Sequence, residues 1–475
     1  MPYVLVLDCG ATNIRAGAVD ERGRIVHIES EANAAVRERP DRDWLVWDLE
    51  TIWSKLLACA GRTVAAAGAS GCAALVVTSF SDDGAPLDHE CNLLYPVISW
   101  QCGRSAGMMD KLGGHMNPRR LYKITGEQPL PQHTLFRLLW LRENAPQALE
   151  KAEQYAMFPN ILNHRLTGRM VNDPTTADSM FLLDISRRRY SKEILGHFGF
   201  DASFFPEILE PGSLVGPLLG SVASAIGLKP GLPVIVGGHD TQFAVLGSGC
   251  RVGDLVLSSG TWEILFARTD RCFGSERNRQ LGLKHECDVA DGVINFGAQW
   301  IGSGALEWLG ELLYPEILDR QSRYAAAQKE ASAAPEGCEG VRIFPDLVPG
   351  TIGNQGGKAR GGTIEGCTIT TRRAHLYRAM LEALCEKLHE GVRLISESAN
   401  LHPTLLTVVG GGSRNSLWNQ MRADRLGIPI QLTSQTENTM VGAAMAGFVG
   451  SGLFGSLDEA RDAIDFGGER IEPRG

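Results

Sequence analysis

Leu5-Val-Leu-Asp-Cys-Gly-Ala-Thr-Asn-Ile14 is an apolar strand that ends in one acid, a glycine and a run of small, polar residues. Alone it reads as a strand entering a turn, because Asp and Gly are turn residues. It has a counterpart half a chain away, Leu255-Val-Leu-Ser-Ser-Gly-Thr-Trp-Glu-Ile264. In register, Leu5/Leu255, Val6/Val256, Leu7/Leu257, Gly10/Gly260 and Ile14/Ile264 are identical. A returning apolar stretch follows each, "AGAVD" at 16–20 and "LFARTD" at 265–270. The shared glycine position points to one strand–turn–strand unit used twice. Two similar domains are therefore expected, 1–247 and 248–475.

Working outward, strand and helix signals alternate. "AALVVTSFSDDG" reads as a buried strand that ends at 81–84, and 132–146 reads as a helix stopped by Pro146. "GLPVIVGGHDTQFAVLGSG" (231–249) reads as strand, glycine turn and helix. The longest helical pattern covers 372–400, and "LLTVVGGGSRNSLWNQMRADRLG" (405–427) repeats strand, glycine turn and helix. Such alternation predicts an α/β fold. The Ala/Pro/Gly-rich stretch 331–340 reads as a surface loop.

Composition narrows the function. The chain has 475 residues, 44% hydrophobic and 21% charged, with a net charge of -9. That balance argues against nucleic-acid binding, which rests on Lys and Arg neutralising phosphates. No apolar run is long enough for a membrane helix, and Asp8 interrupts the N-terminal apolar segment where a signal peptide would not. A cytoplasmic protein with no membrane partner is expected. The 11 cysteines are scattered without a C-x-x-C pair, which suits reduced, buried thiols. "HEC" at 285–287 places two potential metal ligands together but has no matching second pair.

Three glycine turns carry the candidate chemistry: 8–13, 258–261 and 410–415. Glycine lets a backbone approach a ligand and aim N–H groups at it, and neighbouring hydroxyls can bind phosphate oxygens. The third turn opens a helix, whose N-terminus favours anions. No Walker A motif is present; Lys358 follows Gly357, but the surrounding residues do not fit one. Asp8 beside a phosphate turn would repel its ligand unless Mg²⁺ lay between them. Asp240, just past "PVIVGGH", reads either as a helix N-cap or as a general base for a hydroxyl.

The Asp-x-Gly-x-Thr, Ser-Gly-Thr and Gly-Gly-Gly turns resemble the phosphate and adenosine motifs of the sugar kinase/actin/heat-shock ATPase superfamily. Within it, "GGGSRNSLWNQMRADRLGIPI" and "TENTMVGAAMAG" resemble the FGGY carbohydrate kinases. "GGHDTQFA", "SSGTWEIL" and "NLLYPVISWQC" are most similar to its 6-deoxy-ketose branch, the L-fuculokinases in particular. The resemblance implies two actin-like (ribonuclease H-like) domains with a cleft between them, and ATP-dependent phosphorylation of a small sugar, at C1 of a 6-deoxy-ketohexose such as L-fuculose. Another ketose or polyol, or a weakly active sugar binder, is the alternative. It implies ATP held by Gly10, Thr12, Asn13, Gly260, Thr261, Gly411, Gly412, Ser413 and Asn415, with Mg²⁺ near Asp8. Asp240 would be the base, and Asp83, Gly84, Trp100, Arg104 and His239 would meet the sugar. A homodimer is compatible with it.

One turn departs from the pattern. The branch has Gly-Val-Asp-Gly where this chain has Ser81-Asp82-Asp83-Gly84. Asp83 keeps the acid, and Asp82 turns either to the sugar or to solvent. A 6-methyl group needs an apolar wall, for which Phe80, Trp100 and Phe243 are candidates. Cys9 lies inside the first phosphate turn, so a thiol modification there is expected to block ATP.

Overall fold

The computed structural model describes residues 1–114, 116–348 and 361–474. The Gly357-Lys358 pair lies outside them. The chain forms two compact units. One comprises 1–249, 286–294 and 437–466; the other comprises 250–285, 295–436 and 467–475. A single boundary point in the sequence does not describe this division.

The first unit is built on a six-stranded sheet. Its strands are β1 (Tyr3–Cys9), β2 (Asn13–Asp20), β3 (Ile25–Ala32), β4 (Cys72–Ser79), β5 (Leu214–Pro217) and β6 (Pro233–His239), in the order β5-β6-β4-β1-β2-β3. β1 runs antiparallel to β2 and parallel to β4. All seven residues of β1 are buried, because both faces of the sheet are covered. Leu5 and Leu7 face Leu56 and Ala60 of α1 (Leu49–Ala67). The alternate residues Val4 and Val6 share a core with Met440, Ala443 and Ala444 of the helix Asn438–Gly450. That helix is small and apolar almost all round, which suits burial between neighbours. A further helix, α2 (Thr134–Asn144), realises the helix expected at 132–146 and carries a separate apolar cluster. The short α3 (Asp240–Leu246) starts directly from the end of β6.

The second unit repeats the plan. A seven-stranded sheet contains β7 (Leu255–Ser259), β8 (Trp262–Thr269), β9 (Lys284–Cys287), β10 (Ile294–Ile301), β11 (Leu406–Val409), β12 (Ile430–Leu432) and β13 (Arg470–Ile471). Their order is β9-β10-β8-β7-β11-β12-β13. β7 pairs antiparallel with β8 and parallel with β11, as β1 does with β2 and β4. The internal repeat read from the sequence is therefore a repeat of topology. The longer helices of this unit are α4 (Ser303–Leu313), α5 (Arg320–Ala333), α6 (Arg373–Ala399) and α7 (Ser416–Leu426).

The stretch 331–340 is largely at the surface, with seven of its ten residues exposed, but its first three residues are helical and Ala331, Ala334 and Cys338 are buried anchors. Ala331, in the last turn of α5, is fully buried, and Cys338 is buried beyond the helix in the same core. Alanine supports both helix and close packing, so an Ala-rich stretch need not be solvent-exposed.

Candidate active site

β1 places Asp8 one residue before the end of the strand, opposite Arg15 on β2 and Thr78 on β4. Cross-strand neighbours on one face of a sheet meet directly. One carboxylate oxygen of Asp8 accepts from Arg15, through Nε at 2.9 Å and also through Nη2. The other accepts from the Thr78 hydroxyl at 3.1 Å. Arg15 also pairs with Glu437, so it sits between two acids. Sequence reading missed Arg15. The signal was available, because a tight turn at 10–12 puts residue 15 across from residue 8.

The turn itself is tied down by Asn33. The Asn33 backbone N–H donates to Thr12 O at 2.8 Å, and its side chain donates to Gly10 O at 2.9 Å. The side chains of Thr12 and Asn13 are exposed at the tip. Cys9 faces the other way. Its thiol is fully buried and burial pushes its pKa well up. A thiol reagent would meet a buried Cys9 whose pKa burial raises, so labelling there is disfavoured before any effect on ATP can arise.

β6 delivers His239 and Asp240. Its last glycines allow a close approach that side chains forbid. A Cβ on Gly237 would lie 1.9 Å from Val77 O, and Gly238 adopts φ +154° with the Asp173 carboxylate 2.4 Å from any Cβ. His239, not Asp240, occupies the N-cap of α3, so the capping reading of Asp240 does not hold. The Asp240 carboxylate is 3.5 Å from His239 Nε2 and accepts from Thr241 Oγ1 at 3.2 Å. Burial raises its pKa; His239 opposes the rise and Asp8 adds to it. His239 Nε2 also shares a hydrogen bond with Ser81 Oγ at 3.2 Å, and its backbone N–H donates to Thr175 Oγ1 at 2.9 Å. Ser81, His239 and Asp240 thus form one chain of polar contacts.

The other sugar candidates divide. Asp83 is fully buried, with one oxygen taken by Trp47 Nε1 and the other by Arg137. Burial pushes its carboxyl up to about 6, against the pull of Arg137 and Trp47. The structure gives Asp83 an internal ion pair, not an open hydroxyl contact. Gly84 is buried where a Cβ would lie 2.6 Å from Ala156 O, so it serves a close strand approach. Arg104 is corrected as well: its side chain is 0% exposed, bound to Glu38 and held between Trp44 and Trp140 at 4.7 and 5.2 Å. Trp100 is half-buried against the first unit's core. Of the other proposed wall residues, Phe80 stacks between Trp47 and Phe158, and Phe243 is fully buried.

In the second unit, the two remaining glycine turns lean on each other. Ser259, the residue before Gly260, accepts through Oγ from Arg422 at 2.7 Å and donates to Glu263 at 2.9 Å. Arg422 and Glu263 form a pair with both side chains at 0% exposure, and the Arg422 guanidinium lies 3.7 Å from the Trp418 ring centroid. A Cβ on Gly412 would fall 2.0 Å from Ser259 Oγ, so this turn needs glycine to nest against the other. Gly260 O accepts from the Ser303 hydroxyl at 2.8 Å, while Thr261 is exposed. Gly411 is exposed and Ser413 donates to Gly410 O at 2.7 Å. Asn415 is fully buried. Its Oδ1 caps α7 by accepting from Trp418 N at 2.9 Å, and its Nδ2 donates to Tyr324 Oη at 2.8 Å. Its side chain holds the turn in place and is not presented to a ligand.

Among the described residues there is no group of three or more His, Cys, Asp and Glu able to hold a metal, and no helix long and apolar enough to cross a membrane. His285 Nε2 accepts from Phe273 N at 2.8 Å, a structural contact.

The model of the FGGY family of carbohydrate kinases matches the chain twice, its N-terminal domain at 3–247 and its C-terminal domain at 255–451. The L-fuculokinase of Salmonella typhi is 40% identical over 98% of this chain and 95% of its own length. That of Escherichia coli K12 is 38% identical with the same coverage. Among solved structures, xylulose kinase from Rhodospirillum rubrum superposes with a TM-score of 0.87 at 24% identity, over 99% of this chain and 94% of its own. Plasmodium falciparum glycerol kinase with ADP gives 0.87 at 20% identity, over 100% and 94%. These two likenesses are of fold.

Proposed function

The chain belongs to the FGGY family of carbohydrate kinases, and from that premise we propose that it transfers the γ-phosphoryl group of ATP to the C1 hydroxyl of L-fuculose. A 6-deoxy-ketohexose in open-chain form has one primary hydroxyl, at C1, which fits a single base. The observation that carries the reading is the Asp240 carboxylate. It lies at a strand end, makes no pair with an arginine or lysine among the described residues, and is held against His239. The full-length likeness to L-fuculokinases supports the choice of sugar.

In this reading Asp240 accepts the C1 hydroxyl proton as the oxygen attacks the γ-phosphorus. The new O–P bond forms as the bond to the bridging oxygen of ADP breaks, and ADP leaves. A base with a raised pKa is better matched to a sugar hydroxyl than an ordinary carboxylate. The exposed Thr12, Asn13, Thr261 and Gly411 are the groups we assign to the nucleotide, with Arg15 as a charge partner for phosphate. Mg²⁺ would neutralise charge on the phosphates. Asp8 is already held by Arg15 and Thr78, so the residues fit an ion carried on ATP and reached from Asp8 through water. We place the enzyme in the cytoplasm, as a monomer or homodimer.

The test is coupled ADP release with Mg-ATP against L-fuculose, L-rhamnulose, L-ribulose, D-ribulose, D-xylulose and glycerol. Turnover of L-fuculose that is lost in Asp240→Asn supports the reading. Preferential turnover of a pentulose or polyol moves the substrate, and no turnover with ATP still bound removes the catalytic assignment.

A further inference from the structure

The acceptor end of the first unit is more polar than a 6-deoxy sugar requires. Two of the three aromatic residues expected to wall in a methyl group are spent elsewhere, Phe80 in a ring stack and Phe243 in the core. The turn next to His239 presents Asp82 instead. Asp82 does not simply point into solvent. Its Oδ1 is buried and has no hydrogen-bond partner among the described residues.

The backbone fixes that placement. Asp82 has φ +72°, the left-handed region that most side chains avoid and Asp tolerates. Its N–H donates to Ser179 Oγ at 3.0 Å. Its carbonyl accepts from Thr134 Oγ1 at 2.9 Å and from Arg137. A strained conformation held at both backbone groups persists only where its surroundings over-determine it, and such residues cluster at functional sites. Burial raises the Asp82 carboxyl; His133, Arg137 and His239 oppose the rise, and Glu127 adds to it. His133 is itself occupied, with Nε2 3.0 Å from Glu127. The neighbouring Ser81 belongs to the polar chain that ends on Asp240. A buried acceptor without a donor costs stability, and a ligand hydroxyl removes that cost.

We propose that Asp82 is a specificity-determining residue: its unpartnered carboxylate oxygen accepts a hydrogen bond from a sugar hydroxyl at the carbon where a 6-deoxy ketose carries only a methyl group. The inference rests on the kinase reading above and extends its acceptor class to fully hydroxylated ketohexoses. A 6-deoxy ketose leaves the carboxylate as it stands in the free protein, so L-fuculose is still turned over, while a hydroxylated sugar gains the added contact.

Two matched pairs of sugars isolate the contact. L-Fuculose and L-tagatose differ only in the C6 hydroxyl, as do L-rhamnulose and L-fructose. kcat/KM would be measured by ADP release for wild type, Asp82→Gly and Asp82→Asn. Glycine adopts φ +72° without strain, so Asp82→Gly removes the carboxylate and keeps the turn. Comparing the hydroxylated-to-deoxy ratio between proteins cancels the differing open-chain fractions of the sugars. We expect that ratio to fall about ten-fold or more in Asp82→Gly, with Asp82→Asn in between. An unchanged ratio in an active Asp82→Gly overturns the inference and leaves the kinase reading standing. So does a folded Asp82→Gly that turns over none of the four sugars, because that would make Asp82 essential and not selective. No turnover of any sugar by wild type defeats the kinase reading and the inference together.

Discussion

Replacing Asp83 with alanine separates a structural role from a sugar-binding one. The Asp83 carboxylate and the Arg137 guanidinium are both 0% exposed and bonded to each other. Nε and Nη2 of Arg137 already lack partners among the described residues. In Asp83→Ala, the acceptor left to that guanidinium among the described residues is the Asp82 carbonyl. Breaking a buried pair from one side strands a charge and costs about 3–5 kcal/mol. For a unit of this size that is a fall in Tm of about 6–20 °C. Differential scanning calorimetry on Asp83→Ala, Arg137→Met and the double variant gives the coupling between them. The double variant should recover much of the loss, since no charge is stranded. The pH dependence has a defined sign. The folded carboxyl titrates at about 6, above its unfolded value of 3.8, so its stabilising share is fully present at low pH and is lost as pH rises through about 6. The stability margin of wild type over Asp83→Ala should therefore be wider at acid than at alkaline pH. An Asp83→Ala protein with unchanged Tm, but a large rise in the KM for sugar, would refute this reasoning and return Asp83 to the substrate.

Asp240→Asn should lower kcat by about 10²–10⁴-fold while ATP still binds in a calorimetric titration. In wild type, kcat/KM should fall on the acid side as Asp240 protonates, at a pH above that of an ordinary carboxylate because burial raises this group. Arg422→Met strands Glu263 in the second unit's core and should cost about 3–5 kcal/mol in unfolding experiments. Gly412→Ala should weaken ATP binding by driving a methyl group into Ser259 Oγ, and Ser259→Gly in the same chain should restore part of it. Thiol labelling of the native protein should modify the exposed Cys272 and Cys367 and leave Cys9 untouched; mass mapping of the labelled peptides decides it.

The fold was legible where its determinants are local. The strand–turn–strand repeat needs only a few consecutive residues, so the likeness of 5–14 to 255–264 carried through to matching topology. The glycine chemistry of the turns was equally local, whereas the capping reading of Asp240 failed because His239 takes the N-cap. What escaped notice depends on distant partners. Asp83 looks like a ligand group until Arg137 arrives from α2, and Arg104 until Glu38 and two tryptophans enclose it. Asn415 resembled a nucleoside contact because its neighbours do, yet its side chain caps a helix. The helix Asn438–Gly450 packs on the opening strand from the far end of the chain, and nothing in its own pattern names that strand.

The glycines ahead of His239 have a consequence for how such an enzyme can change. Because no side chain fits at Gly237 or Gly238, the segment carrying the base cannot be re-aimed by single substitutions without breaking the strand beside it. Innovation in acceptor choice is thereby channelled to the neighbouring turn, where Ser81 and Asp82 sit beside His239 on a backbone anchored at Asp82. A library built for new substrates would gain most by randomising those two positions and leaving 237–240 alone.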